Sequence, residues 1–93
     1  MSGRPLVLAA TNTALEQARR LGVSGCLENR VEETLRTVGP ATRDNRVGRR
    51  SSVLLRQFGV LVVCERVLSP MSSKKGWRPV ECRRIDPTRR LAA

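Results

Sequence analysis

Residues 60–68 read Val-Leu-Val-Val-Cys-Glu-Arg-Val-Leu, the most apolar stretch of the chain, and their reading decides the fold. Valine stands at 60, 62, 63 and 67. A side chain branched at Cβ is stiff about χ1 and fits a pleated surface better than a helix. The stretch therefore predicts a central, buried strand. On its N-terminal side, Ser52 to Phe58 carries Val53, Leu54 and Leu55 and reads as a second strand, with Gly59 as a tight bend or bulge between the two. On its C-terminal side, Ser69 to Gly76 is a polar loop carrying Lys74 and Lys75. Trp77 to Ile85 then alternates charged and uncharged residues, and Pro79 within it points to an edge strand.

Nearer the N-terminus the apolar spacing becomes helical. Thr13 and Glu16 have capping-box spacing and predict a helix start at Thr13. Ala14, Leu15, Ala18 and Leu21 share one face of that helix, Glu16, Gln17, Arg19 and Arg20 the other, and Gly22 ends it. A second helix begins after Ser24 or Gly25. Its stripe is Leu27, Val31, Leu35 and Val38, and Gly39-Pro40 closes it. Residues 5–10 form either a strand or the lead-in to the first helix, and residues 41–50 are a basic connector with turn residues at Asp44-Asn45 and Gly48. The expected fold is α+β, with two N-terminal helices packed on a three- to four-stranded antiparallel sheet. It forms a single domain over 1–88, followed by a basic tail at 89–93 with Arg89 and Arg90.

Composition narrows the chemistry. The 93 residues hold 18 Lys and Arg against 8 Asp and Glu, a formal charge of +10, and Arg supplies 16 of the cations. The preference for Arg over Lys reads equally as a guanidinium surface for RNA, DNA or an acidic protein and as the codon bias of a GC-rich genome, but codon bias alone does not deplete acids. Four of the eight acids fall in the two predicted helices, at 16, 28, 32 and 33, so the cationic surplus is expected on the strand half. Histidine is absent, which removes the usual general base near neutral pH and the commonest metal ligand, and tyrosine is absent too. Cys26, Cys64 and Cys82 are widely spaced and fit neither a disulfide framework nor a zinc site. They read as buried reduced thiols, with a nucleophilic Cys82 activated by Arg83 and Arg84 as the alternative. No metal and no cofactor is expected. No apolar run approaches the roughly 18 residues of a membrane span, and the N-terminus lacks a signal-peptide pattern, so a cytoplasmic location without a membrane partner is expected.

Guanidinium groups present a planar fork suited to phosphate, and Arg49, Arg50, Arg56, Arg83 and Arg84 are the expected nucleic-acid contacts. Glu65 and Glu81 lie in strand-like segments and are the candidate catalytic proton acceptors. Adjacent arginines lower the pKa of each and make it a poor base near pH 7, which favours cross-strand ion pairs over catalysis. Trp77 and Arg78 are natural anchors for a protein interface, although Trp77 also suits a cap over the core.

The order of elements, carried by Ala14 to Gly22, Leu27 to Gly39 and the strand Val60–Cys64, resembles the small toxins of the RelE/ParE group within the wider barnase, EndoU and colicin-nuclease type of fold. The likeness covers residues 5–85 by pattern of elements. It implies binding of RNA or the ribosome, with metal-independent cleavage of RNA through attack of a 2′-hydroxyl as the associated activity. The absent histidine and tyrosine depart from that pattern, so nuclease activity is expected to be weak or lost. Two alternatives stand beside it. Ala18 to Ser24 resembles the first helix and turn of a helix-turn-helix, which implies a winged DNA-binding protein, but the second helix then presents Glu28, Glu32 and Glu33 to phosphate. The Arg-rich, aliphatic composition also resembles accessory proteins of actinobacterial phages, which implies docking on an acidic host protein.

Overall fold

Helix α1 (Asn12–Arg20) begins at Thr11, whose hydroxyl accepts the Ala14 N–H at 3.2 Å, and not at Thr13 as the spacing suggested. Thr11 takes the role because its own N–H is already tied to the Pro79 carbonyl at 3.0 Å, which fixes the entering chain. Residue 14 is then the third helical position, and alanine there cannot complete a capping box. Glu16 instead meets Arg20 at 2.7 Å, one turn along. The helix ends as expected at Gly22. That residue adopts φ +85°, while Val23 N–H reaches the Ala18 carbonyl at 2.9 Å and Gly22 N–H the Arg19 carbonyl at 3.1 Å. The computed structural model describes residues 5–39 and 46–85. The basic tail at 89–93 and residues 41–45 of the connector, with the Asp44-Asn45 turn, lie outside the described residues.

Helix α2 (Leu27–Val38) starts at Cys26 and stops at Gly39, where φ is +77°. Leu27, Val31 and Leu35 are buried as the stripe predicted, but Val38 is 72% exposed and borders an open groove. Three strands follow: β1 (Arg50–Leu55), β2 (Val60–Leu68) and β3 (Lys75–Arg84), in the order β1-β2-β3 and antiparallel throughout. The fold is thus the expected α+β arrangement, with both helices ahead of a three-stranded antiparallel sheet. The first strand starts and ends earlier than anticipated, and Gly59, at φ +64°, lies in the turn that joins β1 to β2.

Alternation sorts the sheet into two faces. Val53, Leu55, Val60, Val62, Cys64, Trp77, Pro79 and Cys82 are buried on the inner face. There α1 packs against β3 through Ala14 and Ala18, and α2 packs against β1 through Leu27, Val31 and Leu35. The outer face has no helix over it among the described residues, so Leu61 and Val63 of the central strand are only half-buried. β2 is therefore covered on one face. A register shift opposite Val63 and Cys64 accommodates Pro79 and restores the inward direction of Cys82.

Residues 5–10 are neither an antiparallel fourth strand nor part of α1. They run extended beside β3 and form a parallel bridge between Val7 and Trp77. Trp77 N–H donates to the Leu6 carbonyl at 2.8 Å, and Leu8 N–H donates to the Trp77 carbonyl at 2.9 Å. A side chain at Gly76 would meet Leu6 within 2.9 Å, so glycine is what lets this segment lie so close. Glu28 completes the tie from the other side, accepting the Ala10 N–H at 2.8 Å.

Candidate nucleic-acid interface

The charge is divided along the chain as it is in space. Residues 12–38 carry Arg19, Arg20, Arg30 and Arg36 against Glu16, Glu28, Glu32 and Glu33 and are balanced. Residues 46–85, which build the sheet, carry ten cations against Glu65 and Glu81.

Strand pairing sets the outer face in three rows. Arg50, Glu65 and Arg78 lie side by side across the three strands; the next row is Ser52, Val63 and Glu81; the third is Leu54, Leu61 and Arg83. Both candidate catalytic carboxylates are thus on the open face, and each is answered by an arginine. Arg50 approaches Glu65 at 3.9 Å, and Arg83 grips Glu81 at 2.6 Å. The hydrogen bond from Arg83 outweighs a small desolvation effect and lowers the Glu81 pKa, while the same contact raises that of Arg83. A carboxylate held in this way accepts a proton poorly near neutral pH.

The five expected contact arginines divide between the two ends of the sheet. Arg49 and Arg50 stand where β1 begins. Arg56, in the turn after β1, and Arg83 and Arg84, at the end of β3, stand at the other end. At about 3.3 Å per residue, the six residues of β1 hold the two groups roughly 17 Å apart. Arg56 and Arg84 are exposed and make no ion pair among the described residues.

The end marked by Arg49 and Arg50 is richer than the five arginines suggested. The loop from Ser69 to Lys74 folds back, with Ser69 N–H donating to the Lys74 carbonyl at 2.7 Å, and this sets Lys75 opposite Leu68. Lys74 and Lys75 are exposed at this end with Arg46, Arg49 and Arg50. Their hairpin spacing around the loop was the available signal for placing them there. Met71 at the loop tip is almost wholly exposed, and Leu68 and Val47 are more than half exposed beside it.

Trp77 and Arg78 part company. Trp77 is 3% exposed, under the Arg66 guanidinium at 3.9 Å from the ring centre, and belongs to the core. Burial lowers the Arg66 pKa, and its Nε has no hydrogen-bond partner; the indole face is what it stacks on. Arg78 is half-buried and donates through Nε to the Ala9 carbonyl at 3.1 Å, pinning the N-terminal segment to β3.

The two buried thiols are not activated. Burial pushes Cys64 up to about 12 and Cys82 up to about 11, the latter with its Sγ at 3.5 Å from the Ala14 carbonyl. The neighbouring arginines do not reverse this, because Arg83 points to the opposite face and spends its charge on Glu81. Cys26 is exposed and donates to Glu28 at 3.1 Å. Among the described residues no cluster of three His, Cys, Asp or Glu side chains could hold a metal, and no helix is long and apolar enough to cross a membrane. No family model, no curated protein and no solved structure matches this chain.

Proposed function

We propose that the protein binds RNA through its phosphate backbone, using the cations at the two ends of the sheet, and does not cleave it. The observation that carries this reading is the ten-to-two excess of cations over acids in residues 46–85 beside a balanced helical half. Arg56, Arg84, Lys74 and Lys75 are exposed and unengaged by any acid among the described residues, so their charge is available to phosphate. Neither aromatic ring is presented to solvent for base stacking, since Trp77 is buried and Phe58 is half-buried under Arg30. Contacts to phosphate without base readout follow from that, and sequence preference is expected to be weak. Cleavage finds no support, because the two carboxylates on the open face are engaged by arginines.

The RelE/ParE resemblance and the ribosomal targets it implies belong to the same proposal. The helix-turn-helix reading gains nothing here. Glu28, at the start of the helix that would enter the major groove, is occupied by the Ala10 N–H, and α2 turns its apolar stripe to the sheet.

Charge reversal tests the proposal. The variant with Lys74→Glu and Lys75→Glu together, and separately Arg84→Glu, should each weaken binding of a labelled single-stranded RNA at least tenfold at low salt, with the melting temperature preserved. Unchanged affinity in both would refute it. Equal affinity for duplex DNA would widen the ligand from RNA to any polyphosphate strand.

A further inference from the structure

The sheet has two edges, and they are treated differently. The outer edge of β3 is covered by residues 6–11, through the three main-chain hydrogen bonds of Leu8, Thr11 and Trp77. β1 forms the opposite edge, and among the described residues no strand lies against it. Which of its groups face outward follows from one bond. Arg66 N–H donates to the Arg49 carbonyl at 2.7 Å, so that pair belongs to the hydrogen-bonded set of the β1–β2 ladder. Antiparallel alternation then turns the N–H and C=O of Ser52 and Leu54 away from β2. An open row of this kind is a template for another strand.

Beside this edge, between α2 and β1, runs a groove of about 570 Å³. Arg30, Arg56 and Phe58 stand at one end of it and Val38 at the other, with Leu54 and Thr34 between them. Arg30 is held in place by the Ser24 carbonyl at 3.0 Å and by the Phe58 ring at 5.3 Å, so its remaining N–H groups are positioned in advance. Glu33 also lines the groove, leaving its two arginines in excess. A second copy of this chain is a poor occupant. Edge-to-edge pairing of β1 would bring Arg49, Arg50 and Arg56 of two chains of charge +10 together.

We propose that this edge and groove receive an extended acidic peptide from another protein. The peptide adds a fourth strand to β1 through the outward groups of Ser52 and Leu54. An apolar side chain on its α2 side covers Val38, the next side chain along lies on the opposite face beside Leu54, and a carboxylate settles on Arg30 and Arg56. The main-chain groups of this edge take no part in the proposed RNA contacts, and Arg56 is the residue the two surfaces share.

The test uses the whole chain and a short fluorescent peptide alternating valine with glutamate. Ser52→Pro removes an outward N–H without removing a bond of the β1–β2 ladder, and Arg56→Glu reverses the charge at the rim. The intact chain is expected to bind the peptide and to protect the Ser52 and Leu54 amides from exchange. Each variant should bind it at least tenfold more weakly while keeping RNA affinity in the case of Ser52→Pro. Three results would overturn the proposal: no binding by the intact chain, equal binding by Arg56→Glu, or equal binding of a peptide with lysine in place of glutamate. Protection of the same amides by RNA alone, or by self-association without peptide, would assign the edge to those occupants and overturn it as well.

Discussion

Glu28 sits near the start of α2, and its carboxylate ties the helix to the N-terminal segment: it accepts the Ala10 N–H at 2.8 Å and the thiol of the N-cap residue Cys26 at 3.1 Å. Burial works to raise its pKa, but the hydrogen bonds from Ala10, Cys26 and its own backbone win, and the net effect is a lowered pKa. Replacing it with alanine leaves a part-buried N–H without a partner and cuts the tie between α2 and the segment that covers β3. A charged hydrogen bond of this kind is worth about 1.5–3 kcal/mol, so Glu28→Ala should cost about 2 kcal/mol. For a domain of this size that corresponds to a fall in melting temperature of about 8–16 °C. Glu28→Gln keeps an oxygen acceptor and loses only the charge, so about half that loss is expected. The sign with pH follows from the lowered pKa. The advantage of glutamate over glutamine is present at pH 7 and fades as the pH drops below 4.5 through the folded value, where the carboxyl is protonated in both states. Thermal unfolding by circular dichroism at pH 7 and about pH 3 reads both effects. An alanine variant that melts with the parent would refute the reasoning. So would a glutamine variant that tightens duplex DNA binding at unchanged stability, since that outcome belongs to a helix facing phosphate.

Three other outcomes follow from the same geometry. Arg66→Ala should redden and quench the Trp77 emission and cost about 1 kcal/mol, because the guanidinium stacked at 3.9 Å is what shields the ring; an unchanged spectrum would contradict the stacking. At pH 8 a thiol reagent should label Cys26 rapidly and reach Cys64 and Cys82 only on unfolding, and stability should fall as pH rises from 9.0 to about 11, since the unfolded thiols ionise while the buried ones resist. Glu81→Gln should strengthen RNA binding a few-fold by releasing Arg83 from its 2.6 Å contact, whereas weaker binding or loss of a cleavage activity would give Glu81 a direct role.

What the sequence conveyed well was local. The valines of β2, the stripe at Leu27, Val31 and Leu35, and the Gly22 stop each announce themselves within one or two turns of chain, and each was found where its spacing predicted. What it hid was decided at a distance. Thr13 has the better local signal, with Glu16 three residues on, until the Pro79 carbonyl, far along the chain, fixes Thr11. Residues 5–10 remain ambiguous until Gly76 admits Leu6. The arginines are the instructive case: their surplus on the strand half was countable, but only the register separates Arg49 and Arg50 from Arg56, Arg83 and Arg84, and only the hairpin brings Lys74 and Lys75 to the first pair. Trp77 read as an interface anchor or a core cap with equal ease, and its burial under Arg66 came from the strand pairing.

Binding of a labelled single-stranded RNA measured across a series of salt concentrations tests the central claim most directly. Each phosphate neutralised on a single strand contributes a slope of about −0.7 in log affinity against log salt. Contacts from about five of the sheet's cations therefore predict a slope near −3.5, reduced by about 1.4 when Lys74 and Lys75 are both replaced by glutamine. An affinity indifferent to salt, or a slope left intact by those replacements, would contradict it.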